Sequence, residues 1–534
     1  MRNILLICLL LWGKILTAQE LPAIVPYPQE LKINEGHFEL NRYATVYTND
    51  HLTQEANYLR QSLFELSGIN YLAGTDNKAS IVLILKKGKK ATSDEGYHLT
   101  ISSTQVVIEG ATANGVFNGI QTLLQLLKGS KGNKTKVALQ ALEIKDEPLY
   151  AWRGFMLDES RHFFGKEKVK SLLNWMALYK LNQFHWHLTD EPAWRLEVRK
   201  YPKLILIGGI GNYTDANQPA QYYSQEDVKE IIAYAAARFI TVIPEIDMPG
   251  HATAANMAYP AYSGGGSKDH PEFTFNPGYE KTYQYLTDIL NETQLLFPSN
   301  MIHLGGDEVS FGNEKWKTDT AITALKRRVG LASDLAVEKY FMKRMADSVF
   351  AMKSKVLAWD EMVDAGLPVD KTIIFWWRHD KPEQLNQALA KGYQTVLCPR
   401  LPLYFDFIQD ANHQYGRKWG GKVNDLLSVY HFDVSKSLKN NEDKKHILGI
   451  QANLWTETAQ NEQRLDYLVF PRIASLAEAA WSLPVKRNDQ EFLSRLRTHL
   501  KWYRDAGLNF YNPDEPMKTP EPASRRKVSQ NIID

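Results

Sequence analysis

Two patterns of apolar and polar residues divide the chain. From about Leu21 to Ile144, short alternating runs such as Tyr97–Ile101 are separated by Gly, Asn and Lys, with helical stretches near 52–66 and 115–127. Alternation with a period of two is typical of strands that bury one face. We therefore predict a small α+β domain with a mostly antiparallel sheet.

After Pro148 the pattern becomes a repeat of apolar strand, polar strand end and amphipathic helix. Ser224 and Asp227 form a capping-box pattern before one of the predicted helices. The candidate strands end at Gly154–Asp158, Gln183–His187, Ile240–Asp247, Met301–Asp307, Val356–Asp360, Ile373–Trp377, Thr395–Cys398 and Gly449–Trp455. Eight such ends predict an α/β fold, a (β/α)8 TIM barrel preceded by the small α+β domain.

These patterns give the expected domain bounds. Residues 1–18 resemble a signal peptide, 19–147 form the N-terminal α+β domain, 148–483 form the barrel, and 484–534 form a C-terminal helix and tail. At 534 residues the chain has the length for a barrel of about 250 residues and further domains.

The first residues predict export. Arg2 is followed by the apolar run Ile4–Trp12 and by Thr17 and Ala18, so we expect cleavage near Ala18 and a periplasmic or extracellular protein. The run is short for a membrane span, and no later apolar stretch is long enough for a transmembrane segment. Cleavage would leave Cys398 as the only cysteine, so no intramolecular disulfide or thiolate metal cluster is expected.

The net charge of the chain indicates no binding partner, whereas its many aromatic residues are compatible with binding a sugar. The formal net charge is +2, and no basic run or acidic tail suggests a nucleic acid or an anionic membrane surface. The chain contains 13 Trp and 26 Tyr. Their flat rings suit the apolar faces of sugars as well as ordinary cores.

The run Met301–Glu308 combines a buried strand with reactive groups. Its apolar residues give way to Gly305 and Gly306, and the run ends in the adjacent carboxylates Asp307 and Glu308. Active sites of barrels lie at the carboxyl ends of the strands. The other predicted ends also carry polar or aromatic residues, among them Asp158, Arg161, His162, Asp190, Asp247, His251, Trp359, Trp376, Trp377, Tyr404, Asp406, Trp455 and Glu457.

Four long motifs in this order resemble a known family. They are Arg153–His162, His185–Asp190, Glu245–His251 and His303-Leu304-Gly305-Gly306-Asp307-Glu308. Together they are similar to those of family 20 glycoside hydrolases, the β-N-acetylhexosaminidases, and the N-terminal domain resembles the small α+β domain that precedes the barrel there. The resemblance implies an exo-acting retaining enzyme that removes terminal β-linked GlcNAc or GalNAc from glycoconjugates or chitooligosaccharides.

The family's chemistry, as the resemblance implies it, is substrate-assisted. Glu308 would protonate the glycosidic oxygen and then deprotonate water, while Asp307 would hold the N–H of the 2-acetamido group whose oxygen attacks C1. A retaining glycosidase with its own nucleophile places two carboxylates about 5 Å apart on opposite sides of the reacting carbon. Adjacent acids on one strand end suit that arrangement poorly.

The resemblance also implies roles for the other strand-end residues. Arg161 would bind the 3- and 4-hydroxyls, and Tyr404 would donate to the acetamido oxygen. Asp406 and Glu457 would accept from O4 and O6. The walls around the acetamido methyl would be Trp359, Trp455 and either Trp376 or Trp377. Asp190, Asp247, His251 and His303 would orient the two acids by hydrogen bonds. No cofactor or metal is expected.

Two other readings remain open at this stage. His185 and His187 at a strand end, with His251 and Asp307, also suit a metal-dependent amidohydrolase. A sugar-binding protein without catalysis would keep Arg161 and the tryptophans but would not need Glu308. The sequence does not decide between GlcNAc and GalNAc, and it specifies neither the natural glycan nor the oligomeric state.

Overall fold

The computed structural model describes residues 21–49, 51–86, 93–130, 132–133 and 136–524. The expected signal peptide, residues 1–18, lies outside the described residues, as does the end of the tail after residue 524. Within the described part, no helix combines the length and apolar character needed to span a bilayer.

The N-terminal domain packs two helices on one sheet. The helices are Thr53–Ser67 and Ala113–Gly129, and the strands are Glu30–Asn41, Thr45–Thr48, Leu72–Ala73, Ile81–Leu85, Tyr97–Ile101, Val106–Gly110, Gly132–Asn133 and Lys136–Asp146. The sheet is mostly antiparallel, as expected, but Thr45–Thr48, Ile81–Leu85 and Val106–Gly110 run parallel to one another. Ile81–Leu85 and Val106–Gly110 are connected through the antiparallel strand Tyr97–Ile101, and the alternation of residues does not reveal strand direction.

Eight parallel strands close into a barrel, as the sequence predicts. In chain order they are Trp152–Asp158, Gln183–His187, Thr241–Glu245, Met301–His303, Lys355–Trp359, Thr372–Trp376, Gln394–Leu397 and Ile447–Leu454. The last strand pairs with the first. The fold is thus a TIM barrel behind a small α+β domain.

Helices surround the barrel and connect its strands. They are Lys166–Leu178, Lys203–Leu206, Gln225–Ala236, Thr253–Ala258, Glu280–Leu296, Thr320–Val329, Asp334–Ala351, Pro382–Lys391, Arg400–Leu403, Leu426–Tyr430, Glu462–Val469, Arg472–Trp481 and Asp489–Asp505. The capping box of Ser224 and Asp227 is present at the start of Gln225–Ala236. A ribbon of Ser263–Gly265 and Thr274–Phe275 lies in the loop after the third barrel strand.

The two domains share a buried interface. Asp146, at the end of the N-terminal sheet, accepts a hydrogen bond of 2.9 Å from the indole of Trp481 on a barrel helix. Gln125 donates to the carbonyl of Leu178 at 2.7 Å. The C-terminal helix also packs on the barrel, where Arg495 pairs with Glu478 at 2.7 Å. These contacts bury polar side chains between the N-terminal domain, the barrel and the C-terminal helix.

Candidate active site

Two glycines bring the adjacent acids to the barrel mouth. The fourth strand ends at His303, and Gly305 and Gly306 then adopt positive φ angles of 65° and 91°. A Cβ atom on Gly305 would lie 1.8 Å from Oδ1 of Asp247, so no other residue fits there. The chain therefore turns sharply, and this turn presents Asp307 and Glu308 to the pocket.

His251 stands beside both acids. Its Nε2 atom lies 3.5 Å from Oδ2 of Asp307 and 3.6 Å from Oε2 of Glu308, and its Nδ1 atom lies 3.0 Å from Oδ1 of Asp190. Burial would lower the pKa of His251, but the carboxylates of Asp190 and Asp307 raise it well above its ordinary value. At neutral pH the ring is therefore a cation between the acids and Asp190.

Asp247 lies against the turn that carries the two acids. Burial and the charge of Asp307 raise the pKa of Asp247 well above its ordinary value. Its Oδ1 atom accepts from the backbone N–H of Gly306 at 3.3 Å. Asp247 thus holds the backbone that carries the acid pair.

Arg161 lies on the pocket wall with its guanidinium held in place. Nη1 is 2.5 Å from Oδ2 of Asp190 and 3.6 Å from Oδ2 of Asp158. The guanidinium also lies 5.0 Å from the ring centre of Trp455, within cation–π range. Asp190 therefore connects Arg161 with His251, and through His251 with the acids.

Four aromatic side chains line the pocket. The rings of Trp377 and Tyr404 stack at 6.2 Å with an interplanar angle of 10°, and the ring of Trp455 lies 6.0 Å from Trp359 and 6.3 Å from Tyr404. The indole N–H of Trp377 donates to Oε2 of Glu361 at 3.1 Å. These contacts fix the rings as rigid walls.

Of the two tryptophans that the sequence left open as a pocket wall, Trp377 lines the pocket and Trp376 lies outside it. The side chain of Trp376 packs with the layer between barrel and helices, near Leu385, and its indole N–H donates to the carbonyl of Lys381 at 3.3 Å. Successive side chains of a strand face opposite sides, and here Trp377 is the one that turns inward.

Glu245 is buried beneath the pocket and contacts side chains of the second, fourth and fifth strands. Glu245 lies 2.6 Å from His187 and 2.9 Å from His303, and it accepts from the indole of Trp359 at 2.9 Å. Burial opposes its ionisation, but His303 and His187 hold the pKa of Glu245 well below its ordinary value. Glu245 is therefore an anion that fixes the position of Trp359 in the pocket wall.

In the described contacts, most of the expected supporting residues reach the two acids only through other groups. Among Asp190, Asp247, His251 and His303, His251 alone faces the carboxylates in the described contacts. His303 touches the turn through the N–H of Gly305, which lies 3.1 Å from its Nδ1 atom. The sequence did not single out Glu245 as a site residue, although a polar side chain at the end of a buried strand was a usable signal.

Glu457 lines the remaining side of the pocket together with an unexpected cation, Arg417, whereas Asp406 is 1% exposed and does not line the cavity. Arg417 forms ion pairs with both carboxylates, and its Nε atom is 3.2 Å from Oδ2 of Asp406. Burial would raise the pKa of Glu457, but Arg417 and Arg161 lower it to about 2. Nothing in the sequence marked Arg417, which lies in an irregular Gly-rich loop.

The pocket that these groups form is small. It holds a cavity of about 60 Å³ and is lined by Arg161, His251, Asp307, Glu308, Trp359, Trp377, Tyr404, Arg417, Trp455 and Glu457. Rigid aromatic walls and a few charged groups are the features of a site for one polar ring with apolar faces.

Three side-chain groups have the spacing of metal ligands. They are His185, Glu245 and His303; Asp190, Asp247 and His251; and His251, Asp307 and Glu308. In the first group the carboxylate already lies at 3.0 and 2.9 Å from the two rings, as in hydrogen bonds. In the described part of the chain no such group joins His185 or His187 to Asp307, as the amidohydrolase reading requires.

Comparisons with known proteins agree with this geometry. Residues 150–484 match the model for the catalytic domain of glycosyl hydrolase family 20, and residues 21–147 match the model for its domain 2. A β-hexosaminidase of Porphyromonas gingivalis is 32% identical over 92% of this chain, which spans 64% of the length of that protein. One of Vibrio furnissii is 31% identical over 85% of this chain and 76% of its own length.

Solved structures give the same result. The GH20 exo-β-N-acetylglucosaminidase of Vibrio harveyi, solved with N-acetylglucosamine, has a TM-score of 0.85 and 30% identity, covering 92% of this chain and 78% of that one. For the β-N-acetylhexosaminidase of Bacteroides fragilis the TM-score is 0.81 and the identity 29%, over 93% and 99% of the two chains. With both of its domains matched in order, the chain belongs to glycosyl hydrolase family 20.

Proposed function

We propose that this protein is an exo-acting, retaining β-N-acetylhexosaminidase. It removes terminal, non-reducing β-linked GlcNAc or GalNAc from glycoconjugates or chitooligosaccharides. The observation that carries the proposal is the pair Asp307 and Glu308, presented by the Gly305-Gly306 turn to a small aromatic pocket.

The nucleophile in this mechanism belongs to the substrate. The carbonyl oxygen of the 2-acetamido group attacks C1 while the bond from C1 to the glycosidic oxygen breaks, and Glu308 gives its proton to that oxygen. Asp307 accepts a hydrogen bond from the acetamido N–H and stabilises the positive charge of the oxazolinium ion. Glu308 then takes a proton from water, which attacks C1 and restores the acetamide with retained configuration.

The charged residues around the acids support both steps. The His251 cation lies within 3.6 Å of Oε2 of Glu308 and balances negative charge when the acid has lost its proton. Arg161, fixed by Asp190, presents a planar fork of donors to the 3- and 4-hydroxyls. Asp190 is thereby shared between sugar binding and the environment of the acid.

The aromatic walls select the N-acetyl group. Trp359, Trp377 and Trp455 enclose the acetamido methyl group and stack on the ring, which holds the carbonyl oxygen close to C1. Burial raises the pKa of Tyr404 well above its ordinary value, so the phenol keeps its proton and donates to the acetamido oxygen. Asp406 and Glu457 accept from the hydroxyls at C4 and C6.

Replacing the acid tests the catalytic role. Glu308→Gln keeps the shape of the side chain but cannot donate the proton, so kcat should fall by roughly 10²–10⁴-fold on aryl β-N-acetylglucosaminides. Binding of N-acetylglucosamine, measured by calorimetry, should change little. Glu314→Gln, at an exposed position in the same segment, is the control. Near-full activity of Glu308→Gln would reject the proposal and favour a sugar-binding protein.

We also propose that the protein is exported after cleavage near Ala18. The support is the sequence of residues 1–18, with Arg2 before the apolar run Ile4–Trp12. Mass spectrometry of the protein from the envelope or medium of the native cells should find an N-terminus close to Gln19. An intact Met1 on protein recovered from the cytoplasm would contradict export.

A further inference from the structure

One loop brings a cation to the far end of the sugar pocket. The backbone N–H of Arg417 donates to the carbonyl of Asp406, and the N–H of Ile408 donates to the carbonyl of Arg417, both at 3.0 Å. Gly416 has a φ of +131°, and a Cβ atom there would lie 2.8 Å from the side chain of Ile408. The loop therefore doubles back against the segment that follows the seventh strand, and Arg417 is placed opposite Asp406 by backbone hydrogen bonds.

The Arg417 side chain joins the two carboxylates assigned to the C4 and C6 hydroxyls. It forms ion pairs with Asp406 and Glu457, which are 1% and 5% exposed. Two buried carboxylates at one end of a pocket repel each other unless a cation lies between them. Arg417 supplies this charge, and its own side chain also lines the cavity.

The C-terminal tail holds the loop in place. Glu521 accepts hydrogen bonds from the backbone N–H groups of Gln414 at 2.6 Å and Tyr415 at 3.2 Å. Glu521 also pairs with Arg464 at 2.7 Å, and Arg464 donates to the carbonyl of Tyr415. Arg464 and Glu521 are 0% and 11% exposed, so both ends of this connection are well shielded from water.

We propose that Arg417 is a substrate-binding residue that recognises the C4–C6 edge of the terminal sugar, and that Glu521 positions it. This inference rests on the proposed function. The planar guanidinium donates to a hydroxyl, while Asp406 and Glu457 accept from the hydroxyls at C4 and C6. Equatorial and axial hydroxyls at C4 point in different directions, so a rigid set of donors and acceptors distinguishes GlcNAc from GalNAc.

The first test compares sugars that differ only at this edge. For Arg417→Met, kcat/KM should be measured on aryl β-glycosides of GlcNAc, GalNAc, 4-deoxy-GlcNAc and 6-deoxy-GlcNAc. We expect a loss of roughly 10–100-fold on GlcNAc, a clearly smaller loss on one deoxy sugar, and a change of at least about 5-fold in the GlcNAc/GalNAc ratio. Lys422→Ala, exposed in the same loop, should leave all four values unchanged.

The outcomes separate this inference from the proposed function. An inactive wild-type protein on all N-acetylated aryl glycosides would reject the proposed function. An active wild type, with Arg417→Met slowed equally on all four sugars and the ratio unchanged, would overturn only the role of Arg417. In that case the arginine would serve the fold of the loop alone.

The second test concerns the tail. Glu521→Gln keeps the size of the side chain and weakens the hydrogen bonds that it accepts from the loop backbone. The GlcNAc/GalNAc ratio should shift in the same direction as in Arg417→Met, by a smaller factor, while Glu515→Gln, whose carboxylate pairs with Lys518 on the surface, should not shift it. A lower melting temperature of Glu521→Gln with an unchanged ratio would show a structural role only and overturn the positioning role.

Discussion

We predict that Glu245, which is buried inside the barrel, affects the pocket through one hydrogen bond. It accepts this bond from the indole of Trp359. The carboxylate is fully buried, and it contacts His185, His187 and His303 as well as the indole at 2.9 Å. Glu245→Gln removes the charge and points an amide N–H₂ at groups that are themselves donors. Removing one partner from a buried charged cluster costs about 3–5 kcal/mol of folding free energy.

The effect on catalysis follows from one of these contacts. A hydrogen bond to a charged acceptor contributes about 1.5–3 kcal/mol. If Glu245 acts on the pocket by holding the indole of Trp359, its loss should lower kcat/KM by roughly 10–150-fold. In Trp359→Phe there is no indole N–H to hold, so adding Glu245→Gln should cost much less activity there than in the wild type.

A double-mutant cycle measures this coupling. Wild type, Glu245→Gln, Trp359→Phe and the double variant would be assayed for kcat/KM on an aryl β-N-acetylglucosaminide, after urea denaturation has confirmed that each is folded. We expect a coupling energy of about 1.5–3 kcal/mol. Additive effects, within about 0.5 kcal/mol, would refute the view that Glu245 acts through Trp359.

Four other outcomes follow from the geometry. Gly305→Ala should lower kcat at least 100-fold, because the new methyl group overlaps Asp247 and displaces the acids. Trp377→Phe should raise KM, whereas Trp376→Phe should lower the melting temperature and leave KM unchanged. Dialysis against a chelator should leave activity unchanged, and its loss would revive the amidohydrolase reading. Burial lowers the pKa of Lys180 to about 8, so between pH 8 and 10.5 the unfolding free energy of the wild type should gain about 3 kcal/mol relative to that of Lys180→Met.

The sign of the Lys180 effect follows from proton binding. In the folded protein the buried ammonium loses its proton near pH 8, whereas in the unfolded chain it does so near its ordinary pKa of 10.5. Between these values the unfolded state binds more protons, so stability increases with pH. A difference in unfolding free energy between the wild type and Lys180→Met that stays constant over this range, measured by denaturant titration, would contradict the assignment.

The sequence predicted the parts of the molecule that depend on local pattern. Each barrel strand carries a buried apolar run that ends in polar residues, so the eight strand ends and the turn before Asp307 and Glu308 could be placed. The face of a residue at a strand end was harder to predict. Trp376 and Trp377 are adjacent, and one position decides whether an indole faces the helices or the pocket.

Contacts between distant segments could not be predicted. Arg417 is 40 residues from Glu457, and the two meet only because an irregular loop folds back over the barrel mouth. Glu521, in the C-terminal tail, is 107 residues from Gln414. The sequence also did not show which strands of the N-terminal sheet run parallel, because buried parallel and antiparallel strands can share the same apolar pattern.

Varying the acyl group on the substrate nitrogen would show where the nucleophile comes from. Aryl β-glycosides that carry N-acetyl, N-fluoroacetyl or N-trifluoroacetyl groups, together with the plain glucoside, would be compared by kcat/KM on the wild-type protein. Fluorine withdraws electrons from the attacking carbonyl oxygen, so the rate should fall steadily with each substitution, and the glucoside should be at least about 10³-fold slower than the N-acetyl substrate. Equal rates across the series, or a sugar trapped covalently on a side chain of the protein, would contradict attack by the substrate's own acetamide.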